Sequence, residues 1–377
     1  MRNAVCVCVD GNMLVPGLFV LEAVRSRRAR LEDHDLVLVT TGPADVTDVH
    51  RHWLSERGIQ LRDDFDLSIL QSIEIPPGRL TKATLLKLLL AETLADRYDK
   101  ILYLDADLTI HEELAPIFSL DTKGHPLAAV PSDARRTGFN WKRRKSEAAH
   151  FQALGMTEPY RFVNSGVMLI DVCRWNRDEL SARSIDFIRR NPTLWRLPDE
   201  DALNAILDGR VSELSPVWNM QAPIWSHREV RAIVQPAIIH YVGSNKPWKR
   251  FKRRKGLFEH RAAYRLYQEF VKKSPWPTWL GEQWGARGLW DSLAFEMHRI
   301  NRKIRVRKIG DSRKNRRSFL DTYRRHCGET AFADVEQGIV RREGVRLRVN
   351  RSNGSRCSLP SGMRDNVDGQ PAGGMVR

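Results

Sequence analysis

The chain has few cysteines, five in 377 residues, and the number is odd, so a framework of paired disulfides is not what organises it. It contains no window of about eighteen apolar residues, which argues against a membrane-crossing helix. The short apolar stretch near its start, Ala4 to Val9, lacks the length, basic flank and small-residue exit of a cleavable leader. The first 248 residues also lack excess charge: their balance is about −2, although the whole chain carries +16. The surplus lies in two segments, +6 over residues 249–261 and +10 over 299–325, with +2 in the remaining tail. Positive charge therefore describes a partner surface in the C-terminal third rather than the fold. These features predict a reduced protein on the cytoplasmic side, either soluble or peripheral on the inner face of a membrane.

What is present is an alternation of strand and helix patterns. Ala4 to Asn12 reads as a strand running into an Asp-Gly-Asn turn, and the following segment to Arg30 has apolar residues at helical spacing with a basic last turn. Leu36 to Gly42 supplies a second strand, the segment to Arg57 a helix, and Leu67 to Ile75 a third strand. Thr81 to Leu94 reads as a long apolar helix whose one inward charge, Lys87, either snorkels to water or meets a phosphate. Further strands are expected over Ile101 to Leu104 and Leu127 to Val130. Such alternation implies an α/β fold with a mostly parallel sheet. Cys6 and Cys8 alternate along the first strand, and with no second ligand pair following they read as core residues rather than as a metal site.

The centre of the chain is YDKILYLDADLTI, Tyr98 to Ile110, where a buried strand runs directly into two carboxylates. Asp105 and Asp107 flank the small Ala106, and in extended backbone residues two apart share a face, so both can reach one cation. Open α/β sheets bind ligands at the carboxyl ends of their strands. Downstream, Asn164, Ser165 and Gly166 stand at the mouth of a strand over Val167 to Ile170, and glycine there permits close approach of a ligand. Asp199, Glu200 and Asp201 occupy the first turn of a helix, where the helix dipole accounts for at least one acid but does not require three. A last strand ends in His240, which taken alone is either a hydrogen-bonded structural residue or a ligand. A Gly-Ser-Asn turn beginning at Gly243 follows, and then Lys246, a point charge suited to phosphate. The basic region Ser132 to Lys145 is expected to cover a bound diphosphate.

Five separated landmarks together resemble glycosyltransferase family 8, the retaining nucleotide-sugar enzymes that include lipopolysaccharide galactosyl- and glucosyltransferases and glycogenin. They are the opening strand with Asp10 and Asn12, YLDAD, FVNSGVMLIDVCRW, DEDALN and HYVGSNKPWK, and their order is more specific than any one of them. Trp218 and Asn219 are similar to the family's Trp-Asn element. The resemblance implies a GT-A type fold over residues 1–250 and a UDP-sugar donor. It also implies a divalent cation, typically Mn2+, held by Asp105, Asp107 and His240. A mixed carboxylate and imidazole set suits Mn2+, with Mg2+ as the alternative. By the same resemblance Lys246 and Gly243 meet the diphosphate, Asp10 and Asn12 lie at the nucleoside end, and Asn164, Gly166, Asp199 and Glu200 surround the donor sugar. Ala106 and Lys87 belong to the donor-binding set, and Asp133 lines the sugar or acceptor site.

Three positions depart from the family pattern: Met13 replaces a nucleotide-stacking aromatic, Lys87 an arginine, and Glu200 a common glutamine. A carboxylate at Glu200 is able to stabilise oxocarbenium-like charge or to act as a nucleophile, and with Asp199 it is the catalytic candidate. The implied function is transfer of galactose or glucose to a glycan or glycolipid acceptor such as lipopolysaccharide. The rival is a binding protein that keeps the nucleotide-sugar fold without turnover and docks RNA or membrane through its basic tail.

Residues 251–325 read as a basic, partly amphipathic helical extension. In it Leu289, Leu293, Met297, Ile300 and Ile304 recur at steps of three or four beside arginines and lysines. An anionic membrane surface is the expected partner, packing on the catalytic domain the second reading, and nucleic acid the least favoured. Residues 326–377 are poor in apolar periodicity and are expected to be poorly ordered.

Overall fold

A computed structural model of the chain describes residues 2–29, 34–75, 81–132, 148–157, 161–225, 235–243, 246–248 and 258–282. The strands are β1 (Asn3–Val9), β2 (Asp35–Thr40), β3 (Ile59–Arg62), β4 (Lys100–Leu104), β5 (Leu108–Ile110), β6 (Leu127–Pro131), β7 (Val163–Asp171), β8 (Ser212–Glu213), β9 (Met220–Gln221) and β10 (Ile238–His240). Seven of them form one sheet in the order β3-β2-β1-β4-β7-β6-β8. The four strands from β3 to β4 run parallel, β7 is antiparallel to both its neighbours, and β6 pairs with β8 in parallel. A small second sheet has the order β5-β10-β9.

Alternation along β1 explains why its apolar run is continuous: the sheet is covered on both faces. Val5, Val7 and Val9 enter one core, shared with α1 (Leu14–Arg25). Ala4, Cys6 and Cys8 enter the other, so both thiols pack as small buried residues. That second core also takes α3 (Leu90–Thr93), α4 (Val172–Arg177), α5 (Leu180–Arg190) and the inner face of α6 (Pro198–Leu207).

Three expected elements differ. The third strand is Ile59–Arg62, which follows α2 (Asp48–Glu56) and pairs with β2, while the segment around Ser68 to Leu70 forms a 3-10 turn. Asp66 accepts the Ser68 N–H at 2.9 Å, and this local bond competes with strand pairing. The expected helix from Thr81 begins instead as a 3-10 run, Lys82–Leu88, before the single α turn of α3. Asn164 to Gly166 are not ahead of their strand but within β7, which starts at Val163.

The chain continues through α7 (Ala222–Trp225) to α8 (Phe258–Lys273) and α9 (Trp279–Glu282). Helix α8, which the charge map groups with the extension, is seated on the first core. Its Tyr267 ring stacks on Phe19 of α1 with centroids 3.8 Å apart, and Val271 is buried beside it. Asp133, the basic loop that follows it, the basic run 249–257, the amphipathic segment from Leu289 and the tail lie outside the described residues. Among the described residues no helix is long and apolar enough to cross a membrane.

Candidate active site

The chain leaves β4 and changes sheets across Asp105-Ala106-Asp107, entering β5 at Leu108. Asp105 still belongs to the large sheet, because its N–H donates to the Gly166 carbonyl at 2.8 Å and prolongs the β4–β7 ladder. Asp107 already belongs to the small sheet, because its carbonyl accepts the Tyr241 N–H at 3.0 Å. That pairing, with His240 opposite Leu108, carries an imidazole from 133 residues downstream to the acid pair. His240 Nε2 lies 3.2 Å from Asp107 Oδ1 and 3.6 Å from Asp105 Oδ2. One ligand atom from each of the three falls within 4.8 Å of the others.

The floor of this site is Gly166. A Cβ there would come within 2.3 Å of His240 Cε1 and 2.8 Å of Asp105 Oδ2, so any side chain would occupy the ground between ligands. The donor set of two carboxylates and one imidazole, together with this cradle, fits a divalent cation.

Charge around the acids is arranged on two sides. Lys246 is ion-paired to Asp107 and remains about a quarter exposed. Burial alone would raise the Asp107 carboxyl, but His240 and Lys246 outweigh it and hold it well below the usual carboxylate range. Lys87 is 2 % exposed, so it does not snorkel to water; its ammonium sits 3.0 Å from Asp105 and 2.8 Å from Asp199, over the Tyr103 ring. Burial opposes that charge, yet the two carboxylates raise its pKa above the ordinary lysine value. Tyr103, pushed up by burial and then by Asp105, stays protonated and donates to Asp105 at 2.6 Å.

Helix α6 brings the second pair of acids. Pro198 opens it, and Asn204 fastens it to β7 by accepting the Val163 N–H at 2.7 Å and donating to the Val163 carbonyl at 3.0 Å. The first turn then faces β7: Asp199 accepts from the Ser165 hydroxyl at 2.8 Å, and Glu200 from the Asn164 amide at 2.8 Å. Asp201 points elsewhere, taking the Arg196 and Leu197 N–H groups and His150 Nε2, a structural closure of the helix start.

At the far end Asp10 caps a 3-10 turn by accepting the Met13 N–H, and it also accepts from Thr81 Oγ1 at 2.8 Å. Asn12 is exposed in that turn, and Met13 is half-buried against the core. Gly243 follows β10 with φ +83°, a conformation that favours glycine, three positions before Lys246. Sequence reasoning did not find Tyr103, Ser165 or Asn204 as partners of the acids. It noted Asn219 without a task; Asn219 donates to Asn164 Oδ1 at 2.8 Å and contacts His240 Nδ1 at 3.0 Å. Nothing in the local sequence of these four residues announces such contacts.

Comparison with solved structures returns the same GT-A type α/β fold. The crystal structure of galactosyltransferase LgtC in complex with donor and acceptor sugar analogs matches with a TM-score of 0.58 at 20 % identity, covering 71 % of this chain and 96 % of that one. Residues 54–252 match the model of Glycosyl transferase family 8, and the chain belongs to that family. Among characterised relatives, General stress protein A of Bacillus subtilis (strain 168) is 28 % identical over 190 residues, 46 % of this chain and 62 % of that protein. The lipopolysaccharide 1,3-galactosyltransferase of Salmonella typhimurium is 24 % identical over 206 residues, 52 % of this chain and 56 % of that enzyme. The alignments thus span little more than half the length of these relatives.

Proposed function

We propose that the chain is a metal-dependent glycosyltransferase that moves a hexose, galactose or glucose, from a UDP-sugar to a cell-surface glycan acceptor such as lipopolysaccharide, with retention at the anomeric carbon. The observation that carries this reading is the meeting of Asp105, Asp107 and His240 over the bare backbone of Gly166. Family membership and the kinship with a lipopolysaccharide galactosyltransferase support it.

When bound there, Mn2+ supplies positive charge to a departing diphosphate. The rest of the work falls to the chain. Asp105, Asp107 and His240 hold the ion, and Lys246, part-exposed, turns from Asp107 toward phosphate oxygens. Lys87 stays inside, neutralising Asp105 and Asp199 so that the buried Asp199 is tolerated close to the part-exposed Asp105. Glu200, fixed by the Asn164 amide, presents a carboxylate at the sugar end, where it stabilises positive charge developing on the anomeric carbon. Asp10 and Asn12 meet the nucleoside.

Release of UDP across a panel of UDP-hexoses tests this. We expect Mn2+-dependent turnover with one hexose, lost on chelation and in Asp107→Asn. Tight UDP binding with no turnover of any donor would instead favour a non-catalytic binder. Glu200→Gln is expected to slow turnover, and a near-normal rate would remove Glu200 from the reaction. Peripheral membrane contact through the basic C-terminal third rests on the sequence alone. Sedimentation with anionic and neutral liposomes tests it, with binding expected only to the anionic ones.

A further inference from the structure

Asn219 is not itself among the proposed donor or metal ligands, yet its side chain joins the two halves of the site. It is 1 % exposed and stands immediately before β9, beside the β10 strand that delivers His240. The directions of the hydrogen bonds around it are set by one group that has no choice. The Gly166 backbone N–H can only donate, and it reaches Asn164 Oδ1 at 3.2 Å. This turns the Asn164 amide nitrogen toward Glu200 Oε2, where a carboxylate accepts. The same Asn164 oxygen must then accept from Asn219 as well, so the Asn219 atom at 2.8 Å is its nitrogen. The Asn219 oxygen is left facing His240 Nδ1 at 3.0 Å, and an amide oxygen only accepts. His240 therefore carries hydrogen on Nδ1, and Nε2 is the nitrogen turned to Asp105 and Asp107.

We propose that Asn219 is a positioning residue of the metal centre: by accepting the Nδ1 hydrogen it locks the ring of His240 with the Nε2 lone pair aimed between the acids. Through Asn164 the same lock is tied to the Glu200 carboxylate, so the ion end and the sugar end of the site are oriented by one continuous chain. Burial makes the Asn219–His240 bond effective, since both residues are under 5 % exposed, while Asn164, which is partly exposed, links that bond to the buried Glu200. The inference rests on reading Asp105, Asp107 and His240 as metal ligands. Hydrogen-bonded partners of ligating histidines typically change metal affinity by 10–100-fold when removed.

The test combines Mn2+ titration, followed by the signal of the free ion, with nitrogen NMR of histidine-labelled protein loaded with diamagnetic Mg2+. Wild type is expected to show His240 protonated at Nδ1 and bare at Nε2. Asn219→Ala is expected to weaken Mn2+ binding by about 10–100-fold. Asn219→Asp still accepts the Nδ1 hydrogen but no longer donates to Asn164, and it is expected to restore affinity to within several-fold of wild type. A residue that merely filled space would be replaced as well by the similarly shaped Asn219→Leu, which has no acceptor, as by Asn219→Asp, so equal binding by those two variants overturns the proposal, as does equal weakness of Asn219→Ala and Asn219→Asp. So does undiminished binding by a folded Asn219→Ala, or hydrogen found on Nε2 of wild type, a measurement that needs no variant. Absence of any Mn2+ binding by wild type would remove the metal reading itself, and the Asn219 role with it.

Discussion

At the scale of single residues the site is a set of buried and half-buried charges, each held beside a partner of opposite sign. Gly166 is the tightest case, since the ring that a new Cβ would strike is itself held by Asn219 and has nowhere to turn. Gly166→Ala is expected to leave the fold intact and to weaken Mn2+ binding by at least 10-fold, a ~1.4 kcal/mol effect or more, measured by the same titration. His34 provides a pH-dependent counterpart away from the site. Its Nε2 accepts from Arg28 at 3.2 Å, and burial first, then Arg28, lowers its pKa to about 4 from an ordinary 6.5. Between those values the unfolded chain binds the proton that the folded chain refuses. Stability is therefore expected to fall as pH drops from 6.5 toward 4, by at most ~1.4 kcal/mol per unit from this group. Urea unfolding at pH 7 and pH 5 checks it, and His34→Gln should lose that share of the slope.

At the scale of elements, the site depends on where strands change sheets and on how helices are clamped. Asp105 and Asp107 diverge because β4 ends and β5 begins between them, and only the antiparallel β5–β10 pairing supplies the third ligand. Helix α8 has a comparable structural task on the opposite side of the sheet. Tyr267 stacks on Phe19, lies near Trp248 and Trp279, and is fully buried. Tyr267→Ala is expected to cost about 3–5 kcal/mol, as aromatic truncations in a core do, measured by denaturant unfolding. The sequence placed these residues only within a broad basic helical extension and did not foreshadow the docking of this helix on the core, because the basic residues that dominate its neighbourhood suggested a separate surface. The strand β3 was missed for a similar reason: four residues with two apolar positions carry little signal until β2 is there to pair with them.

At the scale of the whole molecule, donor and metal should act on the folded state together. Asp107 is pulled toward His240 and Lys246, so a cation and a diphosphate would exchange internal ion pairs for bonds to ligand. UDP with Mn2+ at about 100 times its Kd is expected to stabilise the chain by ~2.7 kcal/mol and to raise Tm. Either component alone should do less, and Asp107→Asn should abolish the joint effect. Differential scanning calorimetry with and without chelator reads all of these. The charge of the molecule is divided in the same spirit, with a near-neutral first 248 residues and a surplus confined to the C-terminal third. Salt is therefore expected to affect partner binding more than donor binding.

The sequence by itself determined the α/β class, the strand that ends in two acids and the family, because those are written in periodicity and in short runs of neighbouring residue types. Only the tertiary structure decided that Lys87 faces inward to Asp105 and Asp199, that Asp201 closes a helix rather than joining Glu200, and that Asn219 turns the ring of His240. These assignments depend on hydrogen-bond direction and burial between residues from five to more than a hundred positions apart. Direction and burial come into being only when strands have paired and helices have packed, so no local pattern of residues encodes them.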